Sequence, residues 1–101
     1  MIKTMISHAS EDDSFVDYLY EKLDREKLGL DIFVDHKRNL TGDEPQKMID
    51  EVKRSIVFIP VLSNAAVEKD FIINEIKTAL DSPTTYLFPI KFNCDEDKIP
   101  P

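Results

Sequence analysis

The sequence predicts an α/β fold, a parallel sheet with helices on both of its faces. Four short apolar runs alternate strictly with segments of helical periodicity, and that alternation requires crossovers that leave neighbouring strands parallel. Two of the runs, 30–34 and 56–62, are nearly continuous in apolar residues, as strands covered on both faces are. At 101 residues and 42% hydrophobic, the chain supplies one core, and residues 1–101 read as a single domain.

Each element follows from local chemistry. Ile2 to Ile6 is the first strand, and Phe15, Val16, Leu19 and Leu23 fall at helical spacing behind it. Ser10 with Asp13 three residues later reads as a capping box at the start of that helix. Gly29 is placed to end the helix and release the chain into the second strand, Leu30 to Val34. Met48, Ile49 and Val52 mark a second helix, with Pro45 in its first turn, where a missing N–H is harmless. Ile56 to Leu62 is the third strand. Pro60 and Pro89 each remove a ladder donor, so both are expected at strand ends or at a locally interrupted edge.

From Val67 to Leu80 the chain has the periodicity of a buried helix, with Ile72, Ile76, Ala79 and Leu80 forming one apolar stripe. Glu75 reads as lying off that stripe, one turn beyond Phe71, a carboxylate beside an aromatic near a helix start and suited to a cleft. Tyr86 to Phe92 closes the pattern as a fourth strand. The chain then reaches Ile99-Pro100-Pro101 directly after an acidic loop, so the domain is expected to be truncated, with a last strand and helix missing.

Composition excludes several classes. The net charge is −7, with 20 acidic and 13 basic residues, and the basic ones are scattered; a broad nucleic-acid-binding face is not expected. No apolar run has the length of a membrane span, and no basic-then-apolar leader opens the chain, which predicts a cytoplasmic protein with no membrane partner. The single cysteine, Cys94, cannot form an internal disulfide and fits a reducing compartment. No His, Cys and carboxylate cluster has metal-ligand spacing, so no metal site is expected.

Parallel sheets take ligands outside the carboxyl ends of their strands. The segments there are 7–13, 35–44 and 63–70, all polar and carrying Ser, Asp, Asn or Gly. Their residues resemble, in order, the motifs of the Toll/interleukin-1 receptor (TIR) domain, particularly its short prokaryotic forms. Ile6-Ser7-His8-Ala9-Ser10-Glu11-Asp12 resembles the family's opening motif. Ile32-Phe33-Val34-Asp35 with Leu40-Thr41-Gly42-Asp43 resembles the aromatic-x-Asp and Leu-x-x-Gly-Asp pattern that bounds the BB loop. Val61-Leu62-Ser63 matches the end of the third strand, and Lys69-Asp70-Phe71-Ile72-Ile73-Asn74-Glu75 resembles the helix motif of Trp, three residues, then Glu. The four motifs, with the strand that leads into the first and the helix that carries the last, span residues 2 to 80.

The resemblance implies a flavodoxin-like sheet of strand order 2-1-3-4-5. For many members it also implies cleavage of NAD⁺ at the nicotinamide–ribose bond, with NAD⁺ as substrate and no cofactor. Glu75 stands at the position of the family's catalytic glutamate. Phe71, His8, Ala9 and Lys37 stand at positions that meet the substrate, and Lys37, Arg38, Leu40, Gly42 and Asp43 in the BB loop, through which TIR domains self-associate and complete a neighbour's site. Such a protein acts as a signalling or defence effector and yields ADP-ribose or a cyclised product. Phe71 replaces the usual Trp; it keeps a stacking face but loses area and the indole N–H, which implies weaker substrate binding.

Plainer roles stand beside these. Taken without its motif, Glu75 is a solvated helix residue. His8 is equally a loop residue held by Ser10 or Asp12. Glu11, Asp12 and Asp13 favour the helix N-terminus through its dipole. Phe33 reads as core, Asp35 as a turn residue, and Lys37 and Arg38 as solvated surface or as contacts for a diphosphate or an acidic protomer face. Gly42 supplies backbone freedom, Asp43 starts a helix, and Ser63 bonds locally.

The alternative function is a non-enzymatic module that assembles through homotypic contacts. A phosphorelay receiver is excluded because its third strand would end in an aspartate, and here it ends in Leu62-Ser63-Asn64. A Rossmann nucleotide site is excluded because only Gly29 and Gly42 are present.

Overall fold

The computed structural model describes residues 1–34 and 44–94, the side chains of residues 44 and 45 aside. Strand β1 (Ile2–Ser7) leads through a 3-10 turn (Ser10–Asp12) into helix α1 (Asp13–Arg25) and strand β2 (Leu30–Val34). Helix α2 (Glu44–Arg54), strand β3 (Val57–Leu62), a second 3-10 turn (Ala66–Glu68) and helix α3 (Asp70–Asp81) follow. Two short strands, β4 (Tyr86–Leu87) and β5 (Ile90–Lys91), complete the described chain.

The sheet is parallel, in the order β2-β1-β3-β4, as expected, with β5 pairing β3 beyond the end of β4. Alternation along the strands divides the core between two faces. Ile6, Ile59 and Val61 point to one face, where Val16 is buried and Phe15, Leu19 and Leu23 of α1 pack. Met5, Phe58 and Leu62 point to the other, against Met48 and Val52 of α2 and Ile72, Ile76 and Ala79 of α3. Phe15 also stacks on Phe92 with ring centroids 4.1 Å apart, tying α1 to the end of the fourth run.

The fourth run is not one strand. Val57 pairs with Tyr86 and Val61 with Ile90, a shared register that puts Pro60 opposite Pro89. The Tyr86, Phe88 and Phe92 N–H groups donate to the Ile56, Phe58 and Leu62 carbonyls, so Pro60 is on the side of β3 that faces this run, and its missing N–H removes a donor where the run divides into β4 and β5. Pro89 thus lies at a local interruption, as expected, whereas Pro60 is inside a central strand rather than at a strand end, facing that interruption.

Three other expectations are corrected. Phe33 is 37% exposed, and β2 alternates between half-buried and exposed residues, because β2 is the edge of the sheet. No side-chain cap forms at Ser10 or Asp12, since the chain enters α1 through the 3-10 turn and Asp13 is held elsewhere. Gly29 does not end α1: the helix stops at Arg25, Lys27 takes the left-handed conformation (φ +50°), and Gly29 follows at φ +72°. The Gly29 carbonyl then accepts the Ile2 N–H at 2.8 Å, which sets β2 beside β1. No helix among the described residues is long and apolar enough to cross a membrane.

Candidate functional site

The carboxyl ends of β1 and β3 meet the N-terminal part of α3, and the alternation of β1 decides which side chain serves which face. Ser7 shares the face of Met5, toward α3. Its hydroxyl, fully buried, donates to Glu75 Oε1 at 2.6 Å. His8 points the other way, toward α1, where its Nε2 lies 2.7 Å from Asp13 Oδ1. Asp13, not Ser10 or Asp12, is thus the partner of His8, because the first turn of α1 lies on the face toward which His8 points.

Glu75 corrects the expected stripe. The residue is 1% exposed, and it is buried together with Ile72, Ile76 and Ala79 at the i, i+3, i+4, i+7 spacing of a narrow seam. Leu80, about 80° around the cylinder from Ile72 at the helical period of about 100° per residue, is off it and 59% exposed. Phe71, one turn before Glu75, is half-buried and packs against the same cluster. A carboxylate this far from water is kept only with hydrogen-bond donors, and Ser7 supplies one.

A second buried link joins the other two segments. Ser63, 3% exposed, donates from Oγ to Asp12 Oδ2 at 2.5 Å and accepts the Ala66 N–H at 3.0 Å. It thereby fixes the 3-10 turn before α1 to the 3-10 turn before α3. At the surface above it, Lys69 Nζ lies 3.5 Å from Glu11 Oε2. The backbone amide of Glu11 itself, and then Lys69, hold the Glu11 carboxyl below the usual carboxylate value. Glu11, Asp12 and Asp13, all near the start of α1, therefore have separate partners in Lys69, Ser63 and His8.

Of the residues singled out in the sequence, Glu75, Phe71, His8 and Ala9 are brought to this end of the sheet. His8 and Ala9 are buried there, 4% and 0% exposed. Asp35, Lys37, Arg38, Leu40, Gly42 and Asp43 lie outside the described residues. The sequence reading missed Ser7 as the partner of Glu75 and Asp12 as the partner of Ser63. A signal for the first was present: period-two alternation puts Ser7 on the same face as Met5, where a buried hydroxyl needs an acceptor. Among the described residues no group of three His, Cys, Asp or Glu side chains is arranged to hold a metal ion.

The comparisons with known proteins agree with this architecture. The family model for the TIR domain matches residues 5–101. Among solved structures, the TIR domain of the Toll-related receptor TRR-2 from Hydra magnipapillata superposes with a TM-score of 0.76 at 22% identity, over 96% of this chain and 74% of that one. At that identity the likeness speaks for the fold. No curated protein matches the sequence.

Proposed function

The chain belongs to the TIR-domain family, and we propose that it is an NAD⁺ glycohydrolase activated by self-assembly, with Glu75 as its catalytic carboxylate. The observation that supports this most directly is the setting of Glu75. It is a carboxylate 1% exposed, held by Ser7 at the carboxyl end of the central strands, where parallel sheets take ligands.

The chemistry asks little else of the protein. Nicotinamide leaves with the electron pair of the broken C–N bond and becomes neutral, so no strong general acid is required. The ribose left behind carries oxocarbenium charge, which a nearby carboxylate stabilises directly or through the ribose hydroxyls. Water then bonds to the anomeric carbon and loses a proton, giving ADP-ribose; attack by an adenine nitrogen in place of water gives a cyclic product. Phe71 offers a ring face to the substrate, and His8 and Ala9, both buried, form the floor of the substrate site. Lys37, Arg38, Leu40, Gly42 and Asp43 form the assembly segment, Lys37 also meeting the substrate. NAD⁺ is the substrate in this scheme and no separate cofactor enters it; the setting is a signalling or defence response in the cytoplasm.

The burial of Glu75 also favours a second reading, a non-enzymatic module that assembles through homotypic contacts, since a glutamate satisfied by Ser7 is explained as part of the core. Paired substitutions separate the two. Glu75→Gln is expected to lower nicotinamide release by at least about a hundredfold and leave self-association intact, whereas charge reversals at Lys37 and Arg38 are expected to reduce both. Self-association without any release from the wild-type chain would establish the module instead.

A further inference from the structure

We propose that Ser7 is a positioning residue for Glu75, an inference that rests on the catalytic reading of that glutamate. Ser7 is fully buried at the end of β1, a strand paired on both sides, by β2 and by β3. It is therefore carried by a central strand, where it lies opposite Pro60 of β3. Met5 and Ala9, its neighbours on the same face, are apolar and also fully buried. The Ser7 O–H is directed to Glu75 Oε1 at 2.6 Å, a length typical of a bond to a carboxylate.

A glutamate side chain has three torsions, and a free one samples many carboxylate orientations. Anchoring Oε1 to a central strand removes that freedom and sets the direction of the other oxygen. Catalytic geometry is sensitive to displacements well below the length of a side chain, so such an anchor acts on rate more than on affinity. Ser7 itself lies beneath the glutamate and has no surface with which to touch a substrate.

The test uses the full chain, artificially clustered, with NAD⁺ as substrate. Ser7→Ala is expected to lower kcat by about tenfold or more, with KM unchanged within about twofold, the pattern of a lost transition-state contact. Ser7→Cys, which keeps the volume but is a poor donor, is expected to behave like Ser7→Ala, which separates the lost hydrogen bond from a cavity. Because Ser7 acts through Glu75, Ser7→Ala in a Glu75→Gln background is expected to change the residual rate no further. An unchanged kcat in a folded Ser7→Cys variant would overturn the proposal. So would an effect confined to KM, or an equal loss in the Glu75→Gln background. If the wild-type chain releases no nicotinamide, the enzymatic reading itself fails, and the positioning role goes with it.

Discussion

Ser7 and Glu75 are 68 residues apart in the chain and 2.6 Å apart in space. That hydrogen bond ties the end of the central strand β1 to the buried seam of α3. It also explains how a glutamate sits among Ile72, Ile76 and Ala79 without opening the core to water. A parallel link, Asp12 to Ser63, does the same for the turns that precede α1 and α3. Two polar contacts thus brace the carboxyl end of the sheet.

The Asp12–Ser63 link gives a stability prediction. Ser63→Ala leaves a buried carboxylate and the Ala66 N–H without their shared partner. The expected loss is about 2–3 kcal/mol, measured by urea unfolding. Asp12→Asn, which keeps an acceptor for Ser63, is expected to cost less.

The α1–β2 connection gives a second. Lys27 holds a left-handed conformation that glycine adopts without penalty, so Lys27→Gly is expected to stabilise the protein by about 1 kcal/mol. Gly29→Ala meets no atom within 4 Å but keeps φ +72°. It is therefore expected to destabilise by about 1–2 kcal/mol through the backbone alone. Opposite shifts of the thermal midpoint would check both.

Phe71 is half-buried one turn before Glu75, in the helix segment that resembles the motif of Trp, three residues, then Glu. Phe71→Trp is expected to lower KM for NAD⁺ by about two- to tenfold through added stacking area, with kcat little changed. Steady-state kinetics on the clustered protein measure this directly.

Much of this architecture was legible in the sequence, and what was not has identifiable physical causes. The apolar runs and their spacing carried the strands, the three helices and the two-faced sheet, because burial on a parallel sheet leaves continuous apolar stretches. The place of Glu75 was hidden because a stripe traced through apolar residues alone passes over a glutamate at i+3. Leu80 was then counted in its stead. Phe33 looked like core because nothing local tells an edge strand from a central one. Pro60 is inside β3 facing the gap between β4 and β5, a placement set by the register of distant strands. The family motifs pointed to Glu75, while its partner Ser7 required the fold to bring β1 and α3 together.

The most direct measurement is nicotinamide release from NAD⁺ as a function of protein concentration, for the wild-type chain and for Glu75→Gln. Release that rises faster than linearly with concentration and falls by at least about a hundredfold in Glu75→Gln is the expected result. Release at an equal rate from the two proteins, or none from wild-type protein shown to be folded and assembled, would contradict a catalytic Glu75.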